Sequence, residues 1–434
     1  MESFANMQPY GEYKEAHLEW LEQVPVEWSI RKLNAFGELN GGGTPHTETS
    51  KYWGGDIIWV TPKDLTASKN EYLYSSERTL TELGLPHTSK ILSPGTILFG
   101  CRAPVGNVAI AGVELTTNQG FISIAPNNKT DTRFLFYLLR SVVKIIQNES
   151  SGTTFQEISR SKLSSLKFPL PPLKTQQRIV DFLDAETSRI DNLVSEMEAM
   201  ITLLQENRKT LISEVVTKGI PGAHTEFKDS GIAWLGEVPV TWKIEKLKKV
   251  FTERIETASP EHVHLTPSQK YGTLPQTKYI EISGSRPVLV FSEQAKFKAV
   301  HIHDFISHLR SFQGGLEVTK YDGKISPAYT VLAPNTGLVN SSFFSYVFKT
   351  PQFIREIAST TDQLRDGQSI KWKQLNGIVL PLPSLKEQFE IAAYLIEQTK
   401  KTDILVTTTQ EAIELLKEER KVLISDVVTG KVEV

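Results

Sequence analysis

Four side chains in the first half of the chain carry donors and acceptors that can recognise a base edge, and each lies within two residues of a Gly or Pro. They are Lys63, Arg102, Asn118 and Gln119. Cationic side chains suit guanine and amides suit adenine, and loops built on Gly and Pro can reach into a groove. The same residue types also satisfy the backbone of their own turns, so both interpretations stay open.

The second half offers a similar set on the same grounds: Gln269, Lys270, Tyr271, Arg310, Gln313 and Lys320. The chain as a whole has a net charge of −2, which gives no long-range attraction for phosphates. Phosphate contacts normally supply most of the affinity for nucleic acid, so the charge disfavours a binder that works alone. It is compatible with a reader whose partners add basic surface.

Motifs for catalysis are missing from the sequence. An adenine methyltransferase is expected to carry Asp/Asn-Pro-Pro-Tyr/Phe, whereas the single Pro-Pro pair, Pro171-Pro172, follows Leu170. There is no G-x-x-x-x-G-K-[ST] phosphate loop. The histidines at 301, 303 and 308 do not have zinc-site spacing and lack cysteine support, so no metal is expected. The chain is predicted to be non-catalytic.

Composition predicts a soluble globular protein, with 39% apolar and 23% charged residues in a chain of 434. The one cysteine, Cys101, is expected to be a buried thiol in a reducing compartment. No apolar run approaches the roughly 20 residues that span a bilayer, and the N-terminus lacks the pattern of a secretory signal. A cytoplasmic location is expected.

Two blocks of sequence occur twice. The opening block recurs at a constant offset of 214 residues, so that Trp20, Pro25 and Trp28 become Trp234, Pro239 and Trp242. Two further matches recur at an offset of 212: residues 169–176 with 381–388, and residues 211–217 with 423–429. A gap-free repeat of this length indicates a duplicated rigid element. The repeated tryptophans are expected to pack each domain against its helix.

The segments between the blocks, about 35–165 and 250–375, look unlike each other and are rich in turns and short strands. One framework therefore presents two different domains. The predicted boundaries are 12–168 for the first domain, 169–218 for a spacer helix, 219–225 for a linker, 226–380 for the second domain and 381–434 for a second helix.

The repeated element has the pattern of a long helix with a heptad seam. Residues 175–216 contain no Pro or Gly, and such a helix would be about 63 Å long. The apolar seam positions of the first copy are Ile179, Leu183, Ile190, Leu193, Met197, Met200, Leu204 and Leu211. Those of the second copy are Ile391, Leu395, Leu405, Ala412, Leu416 and Leu423. Intramolecular antiparallel pairing is favoured, and a homodimeric coiled coil is the alternative.

These motifs together resemble one known family. The W-L-x-x-V-P-x-x-W opening, the P-L-P-P-L-K-x-Q start of the helix and its L-I-S-x-V-V-T end are similar to those of type I restriction-modification specificity subunits. Segments such as Gly41-Gly-Gly-Thr-Pro and Thr117-Asn-Gln-Gly-Phe resemble the recognition domains of that family. The resemblance covers nearly the whole chain, although residues 1–11 precede the usual opening.

The resemblance implies an α+β fold: two mixed α/β target-recognition domains joined by two long helices that form an intramolecular antiparallel coiled coil. It implies that each domain reads one half of a bipartite, asymmetric site in double-stranded DNA while the helices set the gap. Two methyltransferase subunits, and in a full complex restriction-translocase subunits, would be the partners. The methyl donor, ATP and Mg²⁺ would belong to those partners. The competing hypotheses are a protein-interaction scaffold and a stand-alone DNA-modifying enzyme.

Overall fold

The computed structural model describes residues 7–68, 70–102, 105–150, 157–285, 296–307, 315–360 and 370–434. The chain divides into two compact units, one made of residues 1–197 with 411–434 and the other of residues 198–410. Each unit therefore combines one globular head with part of both long helices. Among the described residues, no helix has the length and apolar character needed to cross a membrane.

The head of the first unit begins with an antiparallel hairpin and continues into two sheets. Its strands are β1 (Tyr13–Leu18), β2 (Leu21–Pro25), β3 (Ser29–Lys32), β4 (Gly37–Gly41), β5 (Trp53–Val60), β6 (Tyr72–Leu73), β7 (Arg78–Leu80), β8 (Ile97–Gly100), β9 (Val108–Ala111), β10 (Thr116–Thr117), β11 (Phe121–Pro126) and β12 (Lys167–Leu170). The five-stranded sheet has the order β4-β11-β8-β9-β6, and the three-stranded sheet has the order β10-β5-β7.

Four short helices and one long helix complete this part of the chain: α1 (Pro62–Ala67), α2 (Thr132–Ser141), α3 (Val143–Asn148), α4 (Arg160–Ser165) and α5 (Leu173–Lys218). Asp131 caps α2 by accepting hydrogen bonds from the backbone N–H groups of Arg133 and Phe134. Residues 134–139 are all buried, so α2 is a core helix. Strand β12 pairs antiparallel with β3, which places the start of α5 beside the opening hairpin.

The second unit repeats this plan with a different head. Its strands are β13 (Phe227–Asp229), β14 (Glu237–Pro239), β15 (Lys243–Lys246), β16 (Phe251–Glu253), β17 (Leu265–Ser268), β18 (Gly272–Pro275), β19 (Lys298–Val300), β20 (Phe305–Ser307), β21 (Leu316–Val318), β22 (Gly323–Ile325), β23 (Val331–Pro334) and β24 (Val379–Leu382). Its helices are α6 (Leu247–Val250), α7 (Gln276–Ser283), α8 (Ser341–Val347), α9 (Pro351–Ser359), α10 (Trp372–Leu375) and α11 (Leu385–Val428).

A four-stranded sheet of order β16-β23-β20-β21 forms the centre of the second head. The hairpin β13-β14 and the pair β15-β24 correspond to β1-β2 and β3-β12 of the first unit. The framework tryptophans pack as predicted: Trp28, Trp234 and Trp242 are buried, and Trp20 packs half-buried against the core of its unit. Cys101 is buried, also as predicted.

The two long helices pack against each other in each unit, in opposite directions. In the first unit, Ile179 and Leu183 near the start of α5 share a core with Leu423 and Val427 near the end of α11. In the second unit, Ile212 near the end of α5 shares a core with residues near the start of α11, among them Ile391 and Leu395. The predicted α+β fold with an antiparallel helix pair is therefore confirmed.

Two predicted seam residues need correction. Met200 and Leu405 are 46% and 48% exposed, although the seven-residue rows place them in the seam. The inward stripe of an α-helix drifts relative to a strict seven-residue repeat, and each head covers a wider helix face than a two-stranded seam does. Val180, Thr187 and Val215 are buried instead. The middle parts of the helices, residues 191–211 and 400–412, contain no buried side chain in the described structure.

Candidate nucleic-acid interface

Several strand ends of the first head meet at one edge. Strand β11 begins there, with Phe121 opposite Gly100 at the end of β8 and Ile122 opposite Gly41 at the end of β4. Strands β5 and β10 run parallel and end together at the same place, with Thr117 opposite Val60. Loops that leave these strand ends are therefore neighbours, and we call this cluster of loops the recognition edge (residues 42–44, 61–63, 101–102 and 118–120).

Backbone contacts hold the recognition edge together. The N–H of Gly43 donates to the carbonyl of Thr117 at 2.9 Å, and the N–H of Cys101 donates to the carbonyl of Gly120 at 2.9 Å. A Cβ on Gly42 would lie only 1.7 Å from the carbonyl oxygen of Asn118, so any side chain there would force the loops apart. The glycine run thus serves close loop packing.

All four candidates of the first head lie on the recognition edge. Lys63 is exposed and pairs with Glu77 at 2.6 Å, and this hydrogen bond raises the pKa of Lys63. Arg102 pairs with Glu157 at 3.1 Å. The side-chain oxygen of Asn118 accepts a hydrogen bond from the N–H of Gly120 at 2.9 Å, which is the loop-satisfying role. Gln119 is exposed, and its side-chain oxygen accepts from the hydroxyl of Thr44.

Sequence reasoning missed an aromatic and cationic group beside this edge. The guanidinium of Arg78 lies 3.5 Å from the ring centroid of Trp53, and that ring lies 4.9 Å from the ring of Trp59. The indole N–H of Trp59 donates to the carbonyl of Gly43 at 3.0 Å. Arg78 is exposed yet held by a cation–π contact, which reduces the entropy that it would lose on binding. The sequence signal that could have predicted this group is the pair of tryptophans in β5, which an even spacing of six residues places on the same face of a strand.

The second head arranges its candidates differently. Gln269, Lys270 and Tyr271 form the tip of the β17-β18 hairpin, in which Ser268 pairs with Gly272. The ammonium of Lys270 lies 5.0 Å from the ring centroid of Tyr271. Lys320 follows strand β21 and is exposed. Tyr271 and Lys320 meet at one cleft of the second unit, where both line the wall. Arg310 and Gln313 lie outside the described residues.

A buried glutamine joins each head to its helix. The side-chain oxygen of Gln176 accepts from the N–H of Asp131 at 2.8 Å, and its amide donates to the carbonyls of Lys129 and Pro171 at 2.9 and 2.8 Å. Gln388 repeats this pattern with Asn340, Leu338 and Pro383 at 2.8, 2.9 and 3.1 Å. Both glutamines are fully buried. The repeated P-L-P-x-L-K-x-Q segment therefore forms the joint between head and helix.

The remaining candidates for chemistry have structural roles in the described residues. Burial raises the pKa of the Cys101 thiol to about 11, so that the nucleophilic thiolate is scarce at neutral pH. The ring of His301 lies 3.2 Å from Glu256 and 3.4 Å from Asp322. Among the described side chains, no group of three or more His, Cys, Asp and Glu is arranged to hold a metal ion.

Comparisons with known proteins agree on one family. A sequence profile described as the type I restriction modification DNA specificity domain matches residues 25–199. The specificity subunit of the type I restriction enzyme MjaIX from Methanocaldococcus jannaschii is 33% identical over 251 residues, which cover 57% of this chain and 56% of that protein. The MjaVIII specificity subunit of the same organism is 24% identical over an alignment that covers 97% of each chain.

A solved structure shows the same fold over almost the whole length. It concerns complex assembly and conformational transition of the type I R-M system, and one of its chains matches with a TM-score of 0.70 at 19% identity. The match covers 94% of this chain and 99% of that chain. The duplicated plan of two heads on paired long helices is thus shared with a known structure.

Proposed function

We propose that the chain is a type I restriction-modification specificity subunit and that its two heads read the two halves of a bipartite, asymmetric DNA site. The observation that carries the proposal is the combination of identical joints with different heads. Gln176 and Gln388 make the same contacts, whereas the strands of the two heads form different sheets. A duplicated frame that carries two different heads suits a protein that selects two unrelated short sequences.

The recognition edge supports direct readout by the first head. Gln119, which contacts Thr44, and Arg78, which contacts the ring of Trp53, are exposed and can each present paired hydrogen-bonding groups to a base edge. Lys63 and Arg102 are paired with exposed carboxylates, and such pairs exchange readily for a phosphate. In the second head, Lys270 and Tyr271 at the hairpin tip are the matching candidates.

We assign the chemistry to partner subunits. Two methyltransferase subunits, and in a complete complex restriction-translocase subunits, would bring the methyl donor, ATP and Mg²⁺, while this chain acts as a non-catalytic reader in the cytoplasm. The middle of the helices supports a docking role in the second unit, since Met200, Leu203, Ile404 and Leu405 are 46–59% exposed. A cluster of exposed apolar side chains on a helix is typical of a surface that a protein partner covers.

The test is sequence-specific methylation. The chain is purified with and without a type I methyltransferase subunit, and labelled methyl transfer is measured on a library of random duplexes. We expect methylation only when both proteins are present, confined to duplexes that share a split motif. Methylation by this chain alone would establish an enzyme, and methylation that ignores DNA sequence would leave only a scaffold.

A paired substitution sharpens the same assay. Gln119→Ala removes a candidate contact at the start of β11, and Asn128→Ala removes an exposed amide just beyond the end of that strand. Because one good bidentate contact contributes about 1–3 kcal/mol of discrimination, we expect Gln119→Ala to relax the first half-site roughly five- to 150-fold. Asn128→Ala should leave both half-sites unchanged. Equal behaviour of the two variants would remove Gln119 from the reading surface.

A further inference from the structure

Arg78 begins strand β7 beside the recognition edge of the first head. It lies opposite Trp59 in the antiparallel pair β5-β7, and Trp59 is the residue before the last of β5. The indole N–H of Trp59 donates to the carbonyl of Gly43 in this edge at 3.0 Å. Glu77, the residue before Arg78, pairs with Lys63 of the same edge at 2.6 Å. The Arg78 side chain therefore leaves the backbone next to the loops that carry the candidate DNA contacts.

The guanidinium of Arg78 is stacked on an indole ring. Its central carbon lies 3.5 Å from the ring centroid of Trp53 and 5.6 Å from that of Trp59. At 3.5 Å only a stacked arrangement keeps the guanidinium nitrogens from clashing with the ring, so the flat face of the cation covers the face of the indole. The N–H groups of a guanidinium point outward in its own plane. Trp53 therefore holds the cation without using its hydrogen-bond donors.

Arg78 differs from the neighbouring cations of this edge in its polar contacts. Lys63 pairs with Glu77 at 2.6 Å, and Arg102 pairs with Glu157 at 3.1 Å. Within the described part of the chain, no carboxylate or carbonyl accepts a hydrogen bond from the guanidinium of Arg78, which is an exposed residue. Its donors are therefore available to a ligand without the loss of an existing ion pair.

Two side chains also fix the backbone at Arg78. The Oδ1 atom of Asp64, in the first turn of α1, accepts from the N–H of Glu77 at 2.7 Å. The hydroxyl of Ser76 accepts from the N–H of Trp59 at 3.1 Å and donates to the carbonyl of Arg78 at 2.6 Å. Both the backbone and the guanidinium of Arg78 are thus held before any ligand binds, which reduces the entropy that binding costs.

We propose that Arg78, stacked on Trp53, recognises a guanine in the half-site that the first head reads. The inference rests on the function proposed above and names the base that this part of the surface selects. A fixed guanidinium matches the two acceptors O6 and N7 of guanine in the major groove, whereas adenine presents an amino donor in place of O6. Trp53 acts as a positioning residue, because its ring keeps the guanidinium in one plane.

The experiment uses the complex of this chain with a type I methyltransferase subunit and duplexes that carry the methylated motif. Each guanine of the motif is replaced in turn by 7-deazaguanine, which lacks the N7 acceptor, and each G·C pair by A·T. Fluorescence anisotropy measures the affinity at one fixed salt concentration. In the half-site that Gln119→Ala relaxes, we expect a guanine at which the A·T pair weakens binding about 5- to 150-fold and 7-deazaguanine weakens it several-fold.

Variants of the stacked pair separate base recognition from charge. Arg78→Lys keeps the charge and removes the planar donor pair, so both replacements at that guanine should then weaken binding by less than about twofold. Trp53→Leu should reduce the effect of the A·T pair several-fold at the same guanine and leave the other positions unchanged, which a general loss of structure would not do. Arg31→Lys, at an exposed arginine of the framework strand β3, is the matched control and should keep the full effect.

Three outcomes would overturn the inference while the motif, and with it the proposed function, persists. The first is a half-site of the first head without any G·C pair. The second is a guanine preference that Arg78→Lys leaves in place. The third is an Arg78→Ala variant that binds all duplexes more weakly by the same factor, because that pattern identifies a phosphate contact. Binding and methylation without any motif would instead overturn the proposed function, and this inference with it.

Discussion

The junction between head and helix is built from the same parts in both units and closed in different ways. In the first unit, Arg133 bridges Glu71 and Asp184 at 2.9 and 2.7 Å and fills the junction with paired charges. In the second unit, the position that corresponds to Asp184 is Ile396, which is 51% exposed and carries no charge. The two units therefore share the joint between head and helix, whereas the side chains next to that joint differ.

Several residues that are identical in the two repeats are buried polar residues whose hydrogen bonds require a fixed geometry. Gln176 and Gln388 each satisfy one N–H and two carbonyls in a fully buried place, a role that no apolar residue can take. Thr187 and Thr399 each donate to a carbonyl one turn earlier, at 2.6 and 2.7 Å, and lie beside a tyrosine of the head. Polar residues that recur in both repeats therefore connect a head to its helix, whereas the residues that differ between the repeats lie on the surfaces of the heads.

The largest difference between the units is expected at two arginine–carboxylate pairs, one with a buried carboxylate and one with partly exposed carboxylates. Asp304 is 1% exposed, and both of its oxygens accept from Arg254, at 2.6 and 2.9 Å. Arg254→Met should lower the local free energy of unfolding by about 3–5 kcal/mol, because it leaves a buried carboxylate unpaired. Arg133→Met should lower it by only about 1 kcal/mol, because Glu71 and Asp184 are 28% and 38% exposed and reach water. Hydrogen exchange of β20 and of α2 measures the two losses, and equal losses would contradict this ranking.

The glutamine joints should give intermediate and separable effects. Gln176→Leu and Gln388→Leu each leave buried backbone groups without partners and should lower the local free energy of unfolding by about 1–3 kcal/mol. Gln177→Leu, at the exposed neighbouring position, is the control. Hydrogen exchange should increase at residues 129–131 in the first variant and at residues 338–340 in the second. Exchange that increases in both heads at once would contradict independent joints.

The smallest effects are expected for two ion pairs that the repeat relates by an offset of 212. Arg420 with Asp191 in the first unit, at 2.9 Å, corresponds to Arg208 with Asp403 in the second, at 3.2 Å. Because the aspartates are 58% and 62% exposed, each pair should contribute about 0.2–1 kcal/mol. Reversing both charges of one pair should restore most of the stability that a single reversal loses, as a double-mutant cycle in urea unfolding measures. Absence of rescue would show that the paired charges do not couple.

The sequence predicted the frame well because its signals are local and repeated. The long helices, the buried tryptophans and the antiparallel pairing all follow from blocks that recur at fixed offsets. The similarity of α2 and α8 escaped notice, because Asp131 and Asn340 are different capping residues that do the same work and the aromatic residues after them are only partly matched. The two helices therefore share their capping geometry although most of their residues differ.

The sites were harder to predict for a physical reason. The recognition edge depends on strand ends that lie far apart in sequence, and the turn signals named the loops without naming which loops meet. Trp53 and Arg78 form their contact across β5 and β7, a pairing that turn residues alone do not specify. Tyr271 and Lys320 were nominated as DNA contacts from their turns, whereas their position at a cleft depends on the packing of the head against α5.

We propose above all that the paired helices set the spacing between two independent readers. One heptad inserted after Met197 and one after Gln410, where the chain passes between the units, lengthens both helices by about 10.5 Å, or roughly three base pairs of B-DNA. Sequencing of methylated sites in cells that carry the variant should show the same two half-sites with a gap longer by about three base pairs. An unchanged gap, or altered half-site sequences, would contradict the account.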